Sequence, residues 1–257
     1  MNSWLTLSAV VFCAGVTLVI AAETKDTRCY EMRVYYAPPG KLDDLNKRFR
    51  EHTLRLFEKH GIENIGYWMP IANPESKLIY VLRYPSREAR DKSWKDFFAD
   101  ADWKAAAKAS EANGKLVSKV ESFFMQATDY SPPIKASKSG PRVFELRDYT
   151  ASAGNLGALD ARFRDHTVKL FAKHGMEHVA YWHLTPGQKE ADRRLIYIIA
   201  HQSPEAGAAS FDAFRKGPDW IKARSDSEKK AGGSLTEGGM AGVKSTYMRA
   251  TDYSPMK

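Results

Sequence analysis

The chain has 257 residues, a formal net charge of +8, 43% hydrophobic side chains and 27% charged ones. That balance belongs to a folded protein and excludes a disordered one. Beyond residue 22, basic and acidic residues alternate along both halves of the chain without a long run of one sign, so the positive surplus lacks the clustered face of a nucleic-acid binder, and no nucleic-acid partner is expected.

Residues 1–22 carry no charged side chain, and Trp4 to Ile20 is mostly apolar. Small residues at Ala21 and Ala22 precede the polar stretch Glu23-Thr24-Lys25-Asp26. This pattern predicts a signal peptide over 1–22 and export to a periplasm or the exterior, with no stable membrane insertion after cleavage. An uncleaved segment anchoring the protein in a membrane is the alternative. Cleavage would leave Cys29 as the only cysteine, so no internal disulfide is expected.

Tyr30-Glu31-Met32-Arg33-Val34-Tyr35-Tyr36 alternates with period two and reads as a strand. Ala37-Pro38-Pro39-Gly40 ends it. A helix is predicted from Leu42 to His60: Leu42, Leu45, Phe49, His52 or Thr53, Leu56 and Phe57 form one apolar stripe. Asp43 and Asp44 in its first turn and Lys59 and His60 in its last match the helix dipole, and Gly61 suits a left-handed cap. Strands follow over 62–69 and 78–84, joined by the short polar loop Asn73-Pro74-Glu75-Ser76, which makes them an antiparallel hairpin. Ser86 is the expected N-cap of a helical region running to Asn113 and broken near Asp100. A fourth strand is predicted over 115–127. The order is βαββαβ, a ferredoxin-like unit.

Residues 131–142, rich in Pro, Ser and Lys, read as a linker, after which the unit begins again. Aligning Tyr30–Trp68 with Phe144–Trp182 needs no gap and matches twenty of thirty-nine positions. The six residues at 127–132, ATDYSP, return at 250–255. The predicted units span 29–130 and 143–254. A four-stranded sheet with both helices on one face leaves its other face bare, and an aromatic bare face must be covered. The economical solution is an intramolecular pseudo-dimer: two units closing on each other as an α+β barrel with helices outside.

Tyr30-Glu31-Met32-Arg33 with Tyr35, then Pro39-Gly40, His60-Gly61 and Tyr67-Trp68, resembles the NIPSNAP family, and Phe144-Glu145-Leu146-Arg147 through Trp182 repeats the pattern. The resemblance implies the dimeric α+β barrel fold and carries over no catalytic residue. Related barrels include haem-binding proteins and cofactor-free monooxygenases.

Glu31, Arg33 and Tyr35 alternate and so share one face of their strand, as do Glu145, Arg147 and Tyr149. If that face looks into the barrel, the six make one polar cluster able to hold a polar or anionic ligand, with Trp68 and Trp182 lining it. The simpler alternative is a Glu–Arg pair neutralising itself in a buried interface. His52 and His166 are placed by the stripe on the face toward the sheet, where a haem or metal could be held. One histidine per unit, with no second donor at ligand spacing, makes a packing histidine the plainer reading, and no cofactor is expected. Motifs for nucleotide, metal or acyl-transfer chemistry are absent from the sequence. The expected function is an exported protein binding a small molecule or a protein partner through the barrel. The rival is a haem-dependent or cofactor-free monooxygenase, and assembly into a further homo-oligomer is left open.

Overall fold

The computed structural model describes residues 26–134 and 142–257, apart from the side chains of Met240 and Ala241. The segment read as a signal peptide and most of the linker lie outside the described residues.

In chain order the first unit has β1 (Cys29–Tyr36), α1 (Leu42–Arg48), a π-helical turn (Phe49–Thr53), α2 (Leu54–Lys59), β2 (Glu63–Pro70), β3 (Lys77–Tyr84), α3 (Arg87–Ala99), α4 (Ala101–Ser110) and β4 (Lys119–Ala127). The second has β5 (Val143–Thr150), α5 (Leu156–Arg162), a π-helical turn (Phe163–Thr167), α6 (Val168–Lys173), β6 (Glu177–Leu184), β7 (Arg194–His201), α7 (Pro204–Lys216), α8 (Pro218–Ala231) and β8 (Val243–Ala250). The local signals act as their chemistry requires. Ser86 accepts a hydrogen bond from the Ala89 N–H at the start of α3. Gly61 has φ +71° and Gly175 φ +76°, the left-handed region that glycine enters without strain.

The strands close into one barrel in the order β1-β3-β2-β8-β5-β7-β6-β4, with every neighbouring pair antiparallel. The two units meet edge to edge. Trp68, Met69 and Pro70 face Ala250, Arg249 and Met248 at one seam. Met125, Gln126 and Ala127 face Leu184, His183 and Trp182 at the other. Closure curls the bare faces around a shared interior and removes the open strand edges.

The repeated ATDYSP segments reinforce both seams. Each crosses to the other unit: the Ser254 hydroxyl accepts from the Tyr67 N–H and the Ser131 hydroxyl from the Tyr181 N–H. Tyr253 donates to Asn46, and Tyr130 to Asp160.

The barrel interior is packed from both units by Tyr30, Met32, Val34, Trp68, Ile79, Phe144, Trp182 and Ile198, among others, and opens at one end into a pocket where Asp148 and Arg194 pair. Trp68 folds back over its own strand, where a Cβ on Gly66 would lie 2.3 Å from the indole. Two further cores lie between sheet and helices, one per unit: Phe49, Phe57, Tyr80 and Phe97 in the first, Phe163, Phe171, Tyr197 and Phe214 in the second.

The π turns depart from the predicted uninterrupted α-helix, and both units have one. The wide turn lets the Thr53 hydroxyl donate to the Arg48 carbonyl at 3.2 Å and the Thr167 hydroxyl to the Arg162 carbonyl at 3.1 Å. Thr53 and Thr167, rather than His52 and His166, therefore continue the buried stripe.

Candidate functional site

The strand alternation is as read, but the polar face looks outward, under the helices. Tyr30, Met32 and Val34 take the barrel side, because apolar side chains fill a closed lumen without desolvating charge. Glu31, Arg33 and Tyr35 thus form one cluster beneath α3, and Glu145, Arg147 and Tyr149 another beneath α7. The single group of six, conditional on an inward face, does not form. Trp68 and Trp182 occupy the barrel interior, on the opposite face of the sheet from the trios. Trp182 packs on Tyr30 and Trp68 on Phe144, with ring centroids 5.9 and 5.5 Å apart.

Glu31 is fully buried. Arg33 Nη1 donates to it at 2.5 Å, Arg90 forks onto both its oxygens at 2.8 Å, and the Ser122 and Tyr84 hydroxyls donate at 2.5 and 3.2 Å. Burial pushes this carboxyl up, but the Arg90 hydrogen bonds, the Arg33 charge and Ser122 outweigh it and bring it down to about 2. Glu145 accepts from Arg147 at 2.5 Å and Ser245 at 2.5 Å, and His201 Nε2 lies 2.9 Å away. Here too burial raises the carboxyl, while His201, Arg147 and Ser245 bring it below its ordinary range. Both trios neutralise their own charge, as buried ions must.

Beside each trio, between sheet and helices, lies a cavity. The second unit's is about 120 Å³, floored by Phe163, Phe171, Phe211, Phe214 and Trp220 and edged by Arg147, Arg162, Arg215 and Arg224. The first unit's is about 240 Å³, lined by Tyr35, Phe49, Trp94, Phe97, Phe98 and Trp103, with Arg48 at its side.

The residues that distinguish the cavities were not among those singled out from the sequence. Arg48 and Arg162 end α1 and α5, and their side chains are each 5% exposed. The π turn that follows places Arg48, Phe49 and Thr53, or Arg162, Phe163 and Thr167, against the cavity; such turns recur at functional sites. Arg48 donates to Glu111 at 2.9 Å and lies over the Trp103 ring. Arg162 lies over Trp220 in the same way. Its nearest carboxylate oxygen, on Glu228, is 3.5 Å away, and its Nε and Nη1 have no hydrogen-bond partner. Burial depresses its pKa below the ordinary arginine value, with Glu228 opposing only in part. The identity of Arg48 and Arg162 at aligned repeat positions is the signal that could have found them.

The histidines do not reach either cavity. The His52 side chain is 43% exposed beside Glu51, and His166 is exposed on the outer side of its helix. A haem or metal ion held by His52 or His166 would therefore sit outside the sheet–helix layer, so these residues do not fit an enclosed cofactor. Among the described residues, no group of three or more His, Cys, Asp or Glu side chains could hold a metal ion. Cys29 is buried, and burial raises its thiol pKa, away from nucleophilic character.

Two ferredoxin-like units fused in one chain and closed edge to edge define a dimeric α+β barrel. Solved structures of similar shape agree. The chain matches a monooxygenase-like protein from Lactobacillus acidophilus with a TM-score of 0.54 at 12% identity, covering 89% of this chain and 98% of that one. It matches an anthrone oxidase-like protein, also with a TM-score of 0.54 at 12% identity, over 90% of this chain and 95% of that one. At such identity the likeness is one of fold. A NIPSNAP family protein from Agrobacterium tumefaciens matches at 24% identity and a TM-score of 0.38, over 41% of this chain and 98% of that one. No curated protein matches the sequence. The NIPSNAP family model matches residues 30–132 and again 144–255, and the chain belongs to that family as a tandem member.

Proposed function

We propose that this protein binds a small apolar anion, of the size and kind of an aromatic or short-chain carboxylate, in the cavity of its second unit, and that it does so after export. The observation that carries the reading is Arg162: a guanidinium buried against a cavity, with two nitrogens unpartnered. A buried guanidinium only partly compensated, by Glu228 at 3.5 Å, is costly, and an anion placed on it recovers that cost through charge-assisted hydrogen bonds. The aromatic floor supplies the apolar contact, and a volume near 120 Å³ suits one ring or a short chain, since roughly 150 Å³ holds benzene. The uncharged leader of residues 1–22, ending in small residues, supports export.

The monooxygenase reading finds less support in the cavity. Its one lining carboxylate, Glu228, is held by Arg224, and no histidine lines the cavity to accept a proton.

Calorimetric titration of the purified protein with benzoate, hexanoate and benzyl alcohol tests the proposal. The two carboxylates are expected to bind at least tenfold more tightly than the alcohol. Arg162→Met should lower carboxylate affinity roughly 10- to 100-fold, the worth of one hydrogen bond to a charged group. Failure of both carboxylates to bind, or binding that Arg162→Met leaves unchanged, would refute the reading.

A further inference from the structure

We propose that one exchange between the repeats, Ala107 in α4 for Arg224 in α8, gives the two cavities different charge preference: the second takes an anion, and the first is a separate site for an uncharged aromatic molecule. This rests on the anion-binding reading of the second cavity and extends it to the other half of the protein.

The pairing geometry carries the argument. In the second unit, Arg224 Nε lies 3.2 Å from each oxygen of Glu228. Glu228 is thereby drawn along its own helix, one turn toward the N-terminus, and stands 3.5 Å from Arg162, which keeps unpartnered nitrogens. In the first unit the repeat register puts Ala107 where Arg224 stands and Glu111 where Glu228 stands. Alanine has nothing to offer a carboxylate. Glu111 is then free to take Arg48 at 2.9 Å, with the Ser110 hydroxyl 3.4 Å from the same nitrogen.

A second exchange points the same way. Arg215 edges the second cavity, and Phe98 edges the first. The first cavity is thus a neutralised arginine beside Trp94, Phe97 and Trp103, and it is about twice the volume of the second. Transferring a carboxylate there would strip its water and meet a guanidinium whose Nη1 is already taken by Glu111, with Nε left unpartnered, so the cavity favours uncharged rings.

The probes are 4-fluorobenzoate and fluorobenzene, followed by 19F NMR on the full protein. The wild type is expected to bind one 4-fluorobenzoate, and Arg224→Ala should weaken that binding at least tenfold with Arg162 still in place. Ala107→Arg should draw Glu111 off Arg48 and raise the stoichiometry from one to two. Fluorobenzene should bind, and its affinity should survive Arg162→Met. A crystal structure of the Arg224→Ala variant without ligand should show Glu228 closed onto Arg162 at about 2.9 Å, the ordinary hydrogen-bond distance.

Wild-type binding that Arg162→Met abolishes but Arg224→Ala leaves intact would overturn this inference and spare the anion site. Glu228 still 3.5 Å or more from Arg162 in the variant would overturn it independently of any ligand. Loss of fluorobenzene binding in Arg162→Met would overturn the second site. A wild type that binds no fluorobenzoate would remove the anion site and this inference together.

Discussion

The two halves share a backbone plan, down to the π turn and the bulge in β2 and β6, yet they neutralise the same buried glutamate differently. In the first half Glu31 carries two guanidiniums, Arg33 and Arg90. In the second half Glu145 carries one, Arg147, together with His201. The repeat register places Gly207 where Arg90 stands, His201 where Tyr84 stands and Tyr247 where Phe124 stands. These exchanges are coupled by space. A Cβ on Gly207 would meet the Tyr247 hydroxyl at 2.8 Å and the His201 ring at 3.0 Å, so the histidine and tyrosine fill the volume that an arginine vacates. Duplication kept the buried carboxylate and let its counter-ions be redistributed.

The largest expected effect falls on that carboxylate. Glu31→Gln leaves two permanently charged guanidiniums facing a neutral amide, and breaking a buried pair in this way costs about 3–5 kcal/mol. Glu145→Gln should cost less, because it strands one permanently charged guanidinium, Arg147, rather than two. Urea unfolding of both variants measures the gap, and equal losses would break the comparison. The same variant sharpens it through pH. Glu31 is depressed from 4.5 to about 2 in the folded protein, so its contribution is fully present above about 4.5 and fades as pH falls toward about 2. That linkage is worth on the order of 3 kcal/mol. In Glu31→Gln the total loss of stability across this window should be smaller by that amount, and an unchanged loss would show that Glu31 does not carry it.

A smaller effect is expected at Gly207, which lies inside α7. Alanine there would gain up to ~1 kcal/mol of helix propensity but crowd two buried rings, an overpacking worth about 1–3 kcal/mol. Gly207→Ala should therefore destabilise by about 1 kcal/mol, and Tyr247→Phe, which removes the nearest atom, should reduce the loss. A neutral or stabilising Gly207→Ala would mean that the second half holds its histidine and tyrosine more loosely than the packing indicates.

Much of this architecture was legible because it is periodic. Alternation in Tyr30–Tyr36, the stripe of Leu45, Phe49 and Phe57, and an alignment without gaps over thirty-nine positions suffice for two ferredoxin-like units and their closure. What could not be read was which face of the strand looks inward. Period two separates Glu31, Arg33 and Tyr35 from Tyr30, Met32 and Val34 but does not name their sides; the helices decide, by bringing Arg90 and Trp94 over the polar face. The π turn was hidden for a related reason. His52 and Thr53 both fit an α-helical stripe, and only the wide turn turns the histidine out. The cavity arginines escaped because an arginine on a helix is ordinarily solvated. Their burial depends on Trp103 and Trp220, 55 and 58 residues farther along, folding over them.

The smallest effect concerns what makes the halves one body. Arg50 of the first unit forks onto Asp252 of the second unit's tail at 2.5 and 2.7 Å, and Arg164 of the second onto Asp129 of the first at 2.7 and 2.8 Å. These reciprocal clamps look like the fastening of the pseudo-dimer, but both arginine side chains are 44% exposed, and solvated pairs contribute at most about 1 kcal/mol. The seams have better claims: β2 against β8 and β4 against β6, the crossing tails, and a barrel interior filled from both units. Asp252→Asn and Asp129→Asn should each cost under about 1 kcal/mol in urea unfolding, by similar amounts, and the cost should shrink further in high salt. A loss of several kcal/mol from either would transfer the fastening from apolar closure to charge. Unequal losses would show that the tails, unlike the strands they follow, no longer obey the pseudo-twofold.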